Sequence, residues 1–370
     1  TCALPISESP EAIILAVKPQ IMAKVAPSWR DAARAALVIS IAAGTNLDSL
    51  NGWLGSPPAL VRAMPNLPAS FGKGISAAYA TPGPNHIGNV YRKAILREYT
   101  DDTFTARKPR AAQDDYLGLL GPILHAEVGD TVKVVFRNKA SLPYSLTMPD
   151  DVFRPRHPAG DGSSIDAEGI VTQGVPEDTV QPGATATYEW GVPGLAGPEP
   201  GGPTSVAWIY RSRVDEAKDV SSGLLGGIIV TRRGEANADG TPKDVDREVI
   251  ALFNVFNENL SWYAQANIDA HISPADRAKL DTAEANFSDP DGHFTFAGTG
   301  FAETNFKFSI NGYLYGDGPV MTVTQGQRVR WYLLNKGNVG ALNFHTPHWH
   351  GNTVLAQGVR RDTIFLLPLS

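Results

Sequence analysis

The feature that most constrains this chain is a change of hydrophobic period close to residue 81. Before it, short fully apolar segments alternate with helical stretches: AIILAVKPQ, WRDAARAA, LVISIAAG, LDSLNGWLG and ALVRAMPN. Fully apolar strands that end in small or turn residues are the mark of buried parallel strands in α/β units. After the Pro, Gly and Asn cluster TPGPNHIGN, period two takes over in TVKVVFRN, TATYEWGV and SVAWIYRS, with the apolar run LLGGIIVT beside them. A second set follows in EVIALFNVFNE, VMTVTQGQRVRWYLLN, ALNFHTPHWHG and DTIFLLP. Strands at this spacing between Gly, Pro and Asp turns predict antiparallel sandwiches. One chain therefore contains two kinds of fold.

The boundaries follow from these shifts: 1–80 a partial α/β segment, 81–89 a linker, 90–235 a first β-sandwich and 246–370 a second. RRGEANADGTPKDVDR connects the sandwiches, and a Gly turn before a strand in both EVGDTVKVVFRN and TQGQRVRWYLLN is a weak internal repeat. A length of 370 residues allows two or three cores. The 36 Gly and 28 Pro agree with a turn-rich β protein.

Net charge of −6, with no extended Lys or Arg run, argues against nucleic acid and a polybasic membrane surface as partners. No apolar run reaches the ~20 residues of a spanning helix, and nothing near Thr1 has the basic start, apolar centre and small-residue cleavage site of a secretory signal. Cys2 is the sole cysteine, which rules out an internal disulfide and leaves the rest of the chain without a thiol.

Three histidines in NFHTPHWHGNT, at His345, His348 and His350, are the strongest chemical signal. On a strand His348 and His350 leave one face and His345 the other, so one strand could serve two metal ions. His86, His125, His157, His271 and His293 stand alone and predict surface or hydrogen-bonded roles, and DPDGH reads as a turn. Tyr188, Trp190, Trp208, Trp262 and Trp331 are expected inside the sandwiches.

LAVKPQ, SIAAG and VRAMPNLPASFGKG, in this order, resemble pyrroline-5-carboxylate reductase over about the first eighty residues. The resemblance implies a Rossmann-like sheet with Lys18, Pro19, Ala42, Ala43 and Asn66 facing NADP(H). No G-x-G-x-x-G turn accompanies them, and β sequence stands where that family has its helical substrate domain.

YRKAILREYTDDTF, YLGLLGPILHAEVGDTVKVVFRNKASLPYS, PKDVDREVIALFNVFNENLSWY, INGYLYGDGPVMTVTQGQRVRWYLLNKGN and HTPHWHGNTVL together resemble two-domain, ceruloplasmin-like multicopper oxidases, from about Val90 to Ser370. The resemblance implies Greek-key cupredoxin sandwiches, a copper cofactor, and a small reductant and dioxygen as partners. It also implies a cluster that is commonly shared within a homotrimer. His345 then resembles a type 1 copper ligand, and His348 and His350 resemble trinuclear-cluster ligands.

Four of the family's ligand positions differ. Thr147, Met148, Pro149 and Asp150 stand where the first domain's H-x-H-G is expected, and Arg211 and Arg213 where H-S-H is expected. A guanidinium has no lone pair to donate and repels a cation. The terminal H-C-H segment is not in the sequence, so its thiolate and a sandwich strand are expected to be lacking, leaving an unpaired edge.

Three readings follow: a multicopper-oxidase derivative with partial or no copper and little oxidase activity, an NADP-dependent reductase fragment of proline synthesis, and a metal-free cupredoxin scaffold in which Arg211 and Arg213 fill the vacated site against Asp or Glu. Location is open, cytoplasmic by the first resemblance and extracytoplasmic by the second.

Overall fold

The computed structural model describes residues 10–42, 45, 47–57, 60–65, 76–79, 87–88, 90–155, 164–165, 171–172, 179–278, 280, 286–288, 294–297, 301–314, 318–337, 343–349 and 352–368. The first unit is a four-stranded sheet: β1 (Ala12–Leu15), β2 (Leu37–Ser40) and β3 (Leu60–Pro65) run parallel, and β4 (Ser76–Tyr79) adds antiparallel to β3. Helices α1 (Pro19–Val25), α2 (Arg30–Ala33) and α3 (Leu47–Leu54) supply Met22, Ala33, Leu50 and Leu54 to a core with Ile13, Leu15 and Val38. The expected parallel α/β order is present, but burial on both faces is not. Ile14 is 65% exposed and Leu37 38%, because the helices cover the face of Ile13 and Val38 and no described element covers the other.

The first sandwich stacks two three-stranded sheets. Its strands are β5 (Leu124–Glu127), β6 (Thr131–Arg137), β7 (Arg154–Pro155), β10 (Thr185–Gly191), β11 (Ser205–Arg211) and β12 (Leu225–Thr231), with the short hairpin β8 (Ser164–Ile165) and β9 (Val171–Thr172) inserted. The sheets have orders β6-β10-β7 and β11-β12-β5. Trp190, Tyr188, Phe153 and Met148 fill the space between them, with the Tyr188 and Trp190 rings stacked at 5.5 Å. Period two explains the packing: Tyr188 and Trp190 leave β10 on one face, while Thr187 and Glu189 leave on the other.

In the second sandwich β13 (Arg247–Asn257) is central, followed by the hairpin β14 (Asn286–Ser288) and β15 (Phe294–Ala297). Beside β13 lie β16 (Phe306–Ile310), β17 (Tyr313–Leu314) and β18 (Val329–Leu334), in the order β17-β16-β13-β18. A hairpin, β19 (Val354–Ala356) and β20 (Val359–Arg361), closes the described chain. Of the expected strand VMTVTQGQRVRWYLLN only Val329 onward pairs. Val320 is 86% exposed and Val323 45%, since no described strand offers either a ladder or an apolar cover.

Strand β12 joins the sandwiches. All seven of its residues are buried, Ile228 and Val230 in the first core, Leu225 and Ile229 in a shared one with Val249, Leu252 and Leu334 of the second sandwich. A strand apolar at both parities needs a cover on both faces, which two sandwiches provide. The connection is also ionic. Lys93 pairs with buried Glu258, and Lys307, 3% exposed, donates to Gly88 O at 3.4 Å.

Trp262 corrects the expectation of five interior aromatics. It is 39% exposed: its Nε1 reaches in to buried Asp219 at 2.8 Å, while Lys218 Nζ lies over its ring at 4.5 Å. Among the described residues no helix is long and apolar enough to cross a membrane.

Candidate metal centre

The two segments in which the first sandwich's ligands were expected lie side by side. Thr147 N donates to Arg211 O at 2.7 Å and Arg211 N to Thr147 O at 2.9 Å. Next to this bridge Arg213 Nη1 binds Asp150 Oδ2, and Thr147 Oγ1 donates to Asp150 Oδ1 at 3.1 Å. Arg211 Nε stands 2.9 Å from Glu216 Oε1 and Lys336 Nζ 2.7 Å from the same oxygen. The Arg211 contact is an ion pair without hydrogen-bond alignment, as its Nε lacks an aligned acceptor. Burial pushes the Glu216 carboxyl up, but Arg211 and Lys336 outweigh it and hold it below the usual range. Each of these charged groups has an opposite charge beside it, although Arg211 Nε and Arg213 Nε make no hydrogen bond.

Helix α4 (Glu216–Ser221) carries this arrangement. Asp215 caps it, accepting from Lys218 N at 3.2 Å. Asp219, fully buried, accepts from Ser212 Oγ at 2.6 Å, Trp262 Nε1 at 2.8 Å and Asp215 N at 3.3 Å. Burial pushes its carboxyl up against the opposing pull of those bonds. Ser212 Oγ accepts from Ser145 N at 3.0 Å, and Arg213 N donates to Ser145 Oγ at 3.1 Å, which fixes where the Arg213 side chain starts.

The histidine segment of the second sandwich pairs with the DTIFLLP segment through isolated bridges rather than a continuous strand. His345 N donates to Leu366 O at 3.2 Å, Leu366 N to His345 O at 2.8 Å, and Ile364 N to Pro347 O at 3.1 Å. Pro347 has no N–H to extend the ladder. Asn343, 1% exposed, accepts from Val255 N at 3.1 Å through Oδ1, and the same oxygen lies 2.8 Å from His345 Nε2. An oxygen that already takes a backbone N–H is an acceptor, so His345 Nε2 carries its proton and Nδ1 keeps a lone pair. Burial depresses the His345 pKa, which favours the neutral ring.

His348 bonds through its other ring nitrogen: its Nδ1 lies 3.1 Å from Asp362 O, a carbonyl that can only accept, so Nδ1 is the donor. His348 is exposed, on the wall of an open pocket of about 430 Å³ with Trp349, Asn352, Thr353, Arg360 and Asp362. His345 is half-buried, its ring 5.8 Å from that of Phe253. His350 lies outside the described residues, as do His86, His157, His293 and the DPDGH turn. Among the described residues no three His, Cys, Asp or Glu side chains converge as a metal site.

In the α/β unit, Lys18 and Ala42 follow the carboxyl ends of β1 and β2, the edge where open parallel sheets bind ligands. Lys18 is exposed, Pro19 opens α1, and Ala42 is buried. Ala43 and Asn66 lie outside the described residues. Sequence reasoning did not single out Glu216, Lys336 or Asp219. Glu216 and Asp219 read as an ordinary polar helix, and Lys336 meets Glu216 only through the packing of two domains.

No protein-family model matches the chain. Mouse hephaestin is 37% identical over 287 residues, covering 76% of this chain and 22% of that protein. Human ceruloplasmin is 36% identical over 303 residues, covering 79% of this chain and 26% of its own length. The chain thus spans about a quarter of the curated relatives it matches. A solved pyrroline-5-carboxylate reductase from Coxiella burnetii is 35% identical over 19% of this chain and 27% of its own, with a TM-score of 0.18. The larger, β part of the chain belongs to the ceruloplasmin-like multicopper oxidases, behind a short α/β segment that resembles pyrroline-5-carboxylate reductase.

Proposed function

We propose that this protein is a multicopper-oxidase derivative whose cupredoxin pair serves as a scaffold with at most partial copper, and that it has little oxidase activity alone. The carrying observation is the pairing of Arg213 with Asp150, beside Arg211 and Lys336 on Glu216. Copper needs lone pairs, and here guanidinium and ammonium groups stand where imidazoles are expected and use up the nearby carboxylates. The first sandwich does not fit the metal cluster. The second fits better: His345 keeps a donor lone pair on Nδ1, and His345, His348 and His350 are the residues proposed to bind copper. No electron route to dioxygen follows from three imidazoles alone. A reductant, dioxygen and a trimeric partner are therefore family properties that this reading does not carry over, while the extracytoplasmic location of such oxidases is retained.

The test is metal analysis of the purified chain after exposure to copper, together with oxygen uptake on a ferrous salt and on a phenol. Fewer than one copper to about one per chain, without turnover, is the expected result. A full cluster with sustained oxygen uptake would overturn the reading. The NADP(H) alternative has one observation in its favour, the placement of Lys18 and Ala42 at one sheet edge, and calorimetric titration of the full chain with NADPH decides it.

A further inference from the structure

A cleft of about 1130 Å³ lies between the sandwiches, walled by residues 96–125 of the first and by Asp239–Ile250 and Tyr313 of the second. Three guanidiniums line one part of it. Arg97 donates to Leu96 O at 2.9 Å, Gly118 O at 3.3 Å and Leu120 O at 3.4 Å. Arg110 donates to the same Gly118 O at 3.0 Å and to Leu120 O at 2.7 Å. Arg107 hydrogen-bonds the Tyr99 phenol, which holds that phenol below its ordinary pKa. Two guanidiniums that share the same two carbonyls are held close together, and like charges at such range repel.

Most carboxylates that line the cleft have partners other than these three: Lys108 takes Glu98 at 2.7 Å, Arg247 takes Asp114 at 3.0 Å, His125 takes Glu248 at 2.9 Å, Arg328 takes Asp246 at 3.3 Å and Thr241 takes Asp239 at 2.6 Å, while Asp115 is in no ion pair among the described residues. Among the described residues no ion pair includes Arg97, Arg107 or Arg110. Burial, and after it the charges of Arg110 and Arg107, depress the Arg97 pKa, so the cost of crowding is felt at that group. Neutral carbonyls satisfy hydrogen bonds but do not pair with the charge directly.

We propose that Arg97, Arg107 and Arg110 form a binding site for a compact oxyanion, a phosphoryl or carboxylate group of two or more negative charges, in the cleft between the sandwiches. The guanidinium fork suits phosphate and carboxylate oxygens, and a dianion would offset the repulsion among the three cations. Binding to the folded chain alone raises its stability.

The experiment is titration of the full chain with inorganic phosphate by calorimetry, and of Tm at constant ionic strength set with chloride. Citrate replaces phosphate in a second arm to distinguish carboxylates from phosphoryl groups. Saturable binding and a Tm rise of about 3 °C or more over chloride are expected. Arg107→Gln, at an exposed position, should weaken binding about tenfold or more. Arg328→Gln removes the same charge from an exposed arginine paired with Asp246 and should change affinity less than about twofold. The site is refuted if neither phosphate nor citrate exceeds chloride, or if the two variants weaken binding equally, which would mark a diffuse charge effect. Binding of citrate alone would retain the site and assign it to carboxylates.

Discussion

The first sandwich and the second treat their polar strand ends in opposite ways. Around Thr147 and Arg211 every charged group is answered inside the chain: Arg213 by Asp150, Arg211 and Lys336 by Glu216. Around His345 the hydrogen bond to Asn343 occupies Nε2 and leaves Nδ1 with its lone pair, while His348 meets Asp362 O through Nδ1. The difference teaches that polarity alone does not make a metal site. A cation can be held only where donor electrons remain uncommitted, as on His345 Nδ1 in the second sandwich.

The largest effect is expected from the support under the first arrangement. Asp219→Ala removes a fully buried carboxylate that takes bonds from Ser212, Trp262 and Asp215. Three donors lose their acceptor in the interior, a cost of about 3 kcal/mol in urea unfolding. A loss below about 1 kcal/mol would break the claim that the Arg213 segment is set by this buried anchor.

Next in size is a pH test of the second sandwich, which buries an amine that its surroundings do not fully answer. Lys307 faces Glu258, already held by Lys93, together with Gly88 O and the Tyr91 ring. Burial pulls the Lys307 pKa from 10.5 down to about 8. Between those values the unfolded chain binds more protons than the folded one, so stability rises with pH from about 8 to 10.5. Below that window the penalty is fully present, on the order of 2 to 3 kcal/mol. Lys307→Met should therefore be at least as stable as the parent at pH 7, and the gap should close by pH 10.5. Parallel stability curves for the two proteins would show that the amine is not under strain.

Most of the fold could be read from the sequence because period and parity are local. LLGGIIVT is apolar at both parities, and β12 is accordingly buried on both faces between two cores. That Arg211 and Arg213 offer no lone pair was also legible, since residue identity alone decides it. Three things were not. The outer face of the first sheet, with Ile14 exposed, depends on which helices cover it. Val320 and Val323 have strand-like character but no described partner strand, and pairing is a property of neighbours. Glu216 and Lys336 meet across the domain boundary, so neither local sequence contains the other's charge.

The smallest effect sharpens the comparison most directly. Arg213→Ala breaks the pair with Asp150, whose side chain is 46% exposed and can be rehydrated, so the cost should stay below about 1 kcal/mol. The freed Asp150 still lies beside Thr147 and next to the Arg211 strand, and one carboxylate near a guanidinium does not make a cation site. Copper uptake by Arg213→Ala should therefore equal that of the parent, whereas His345→Ala, which removes an uncommitted donor, should reduce it. A gain of copper in the first variant would show that the ion pair merely occludes a competent site, and the contrast between the sandwiches would then be one of access and not of donor chemistry.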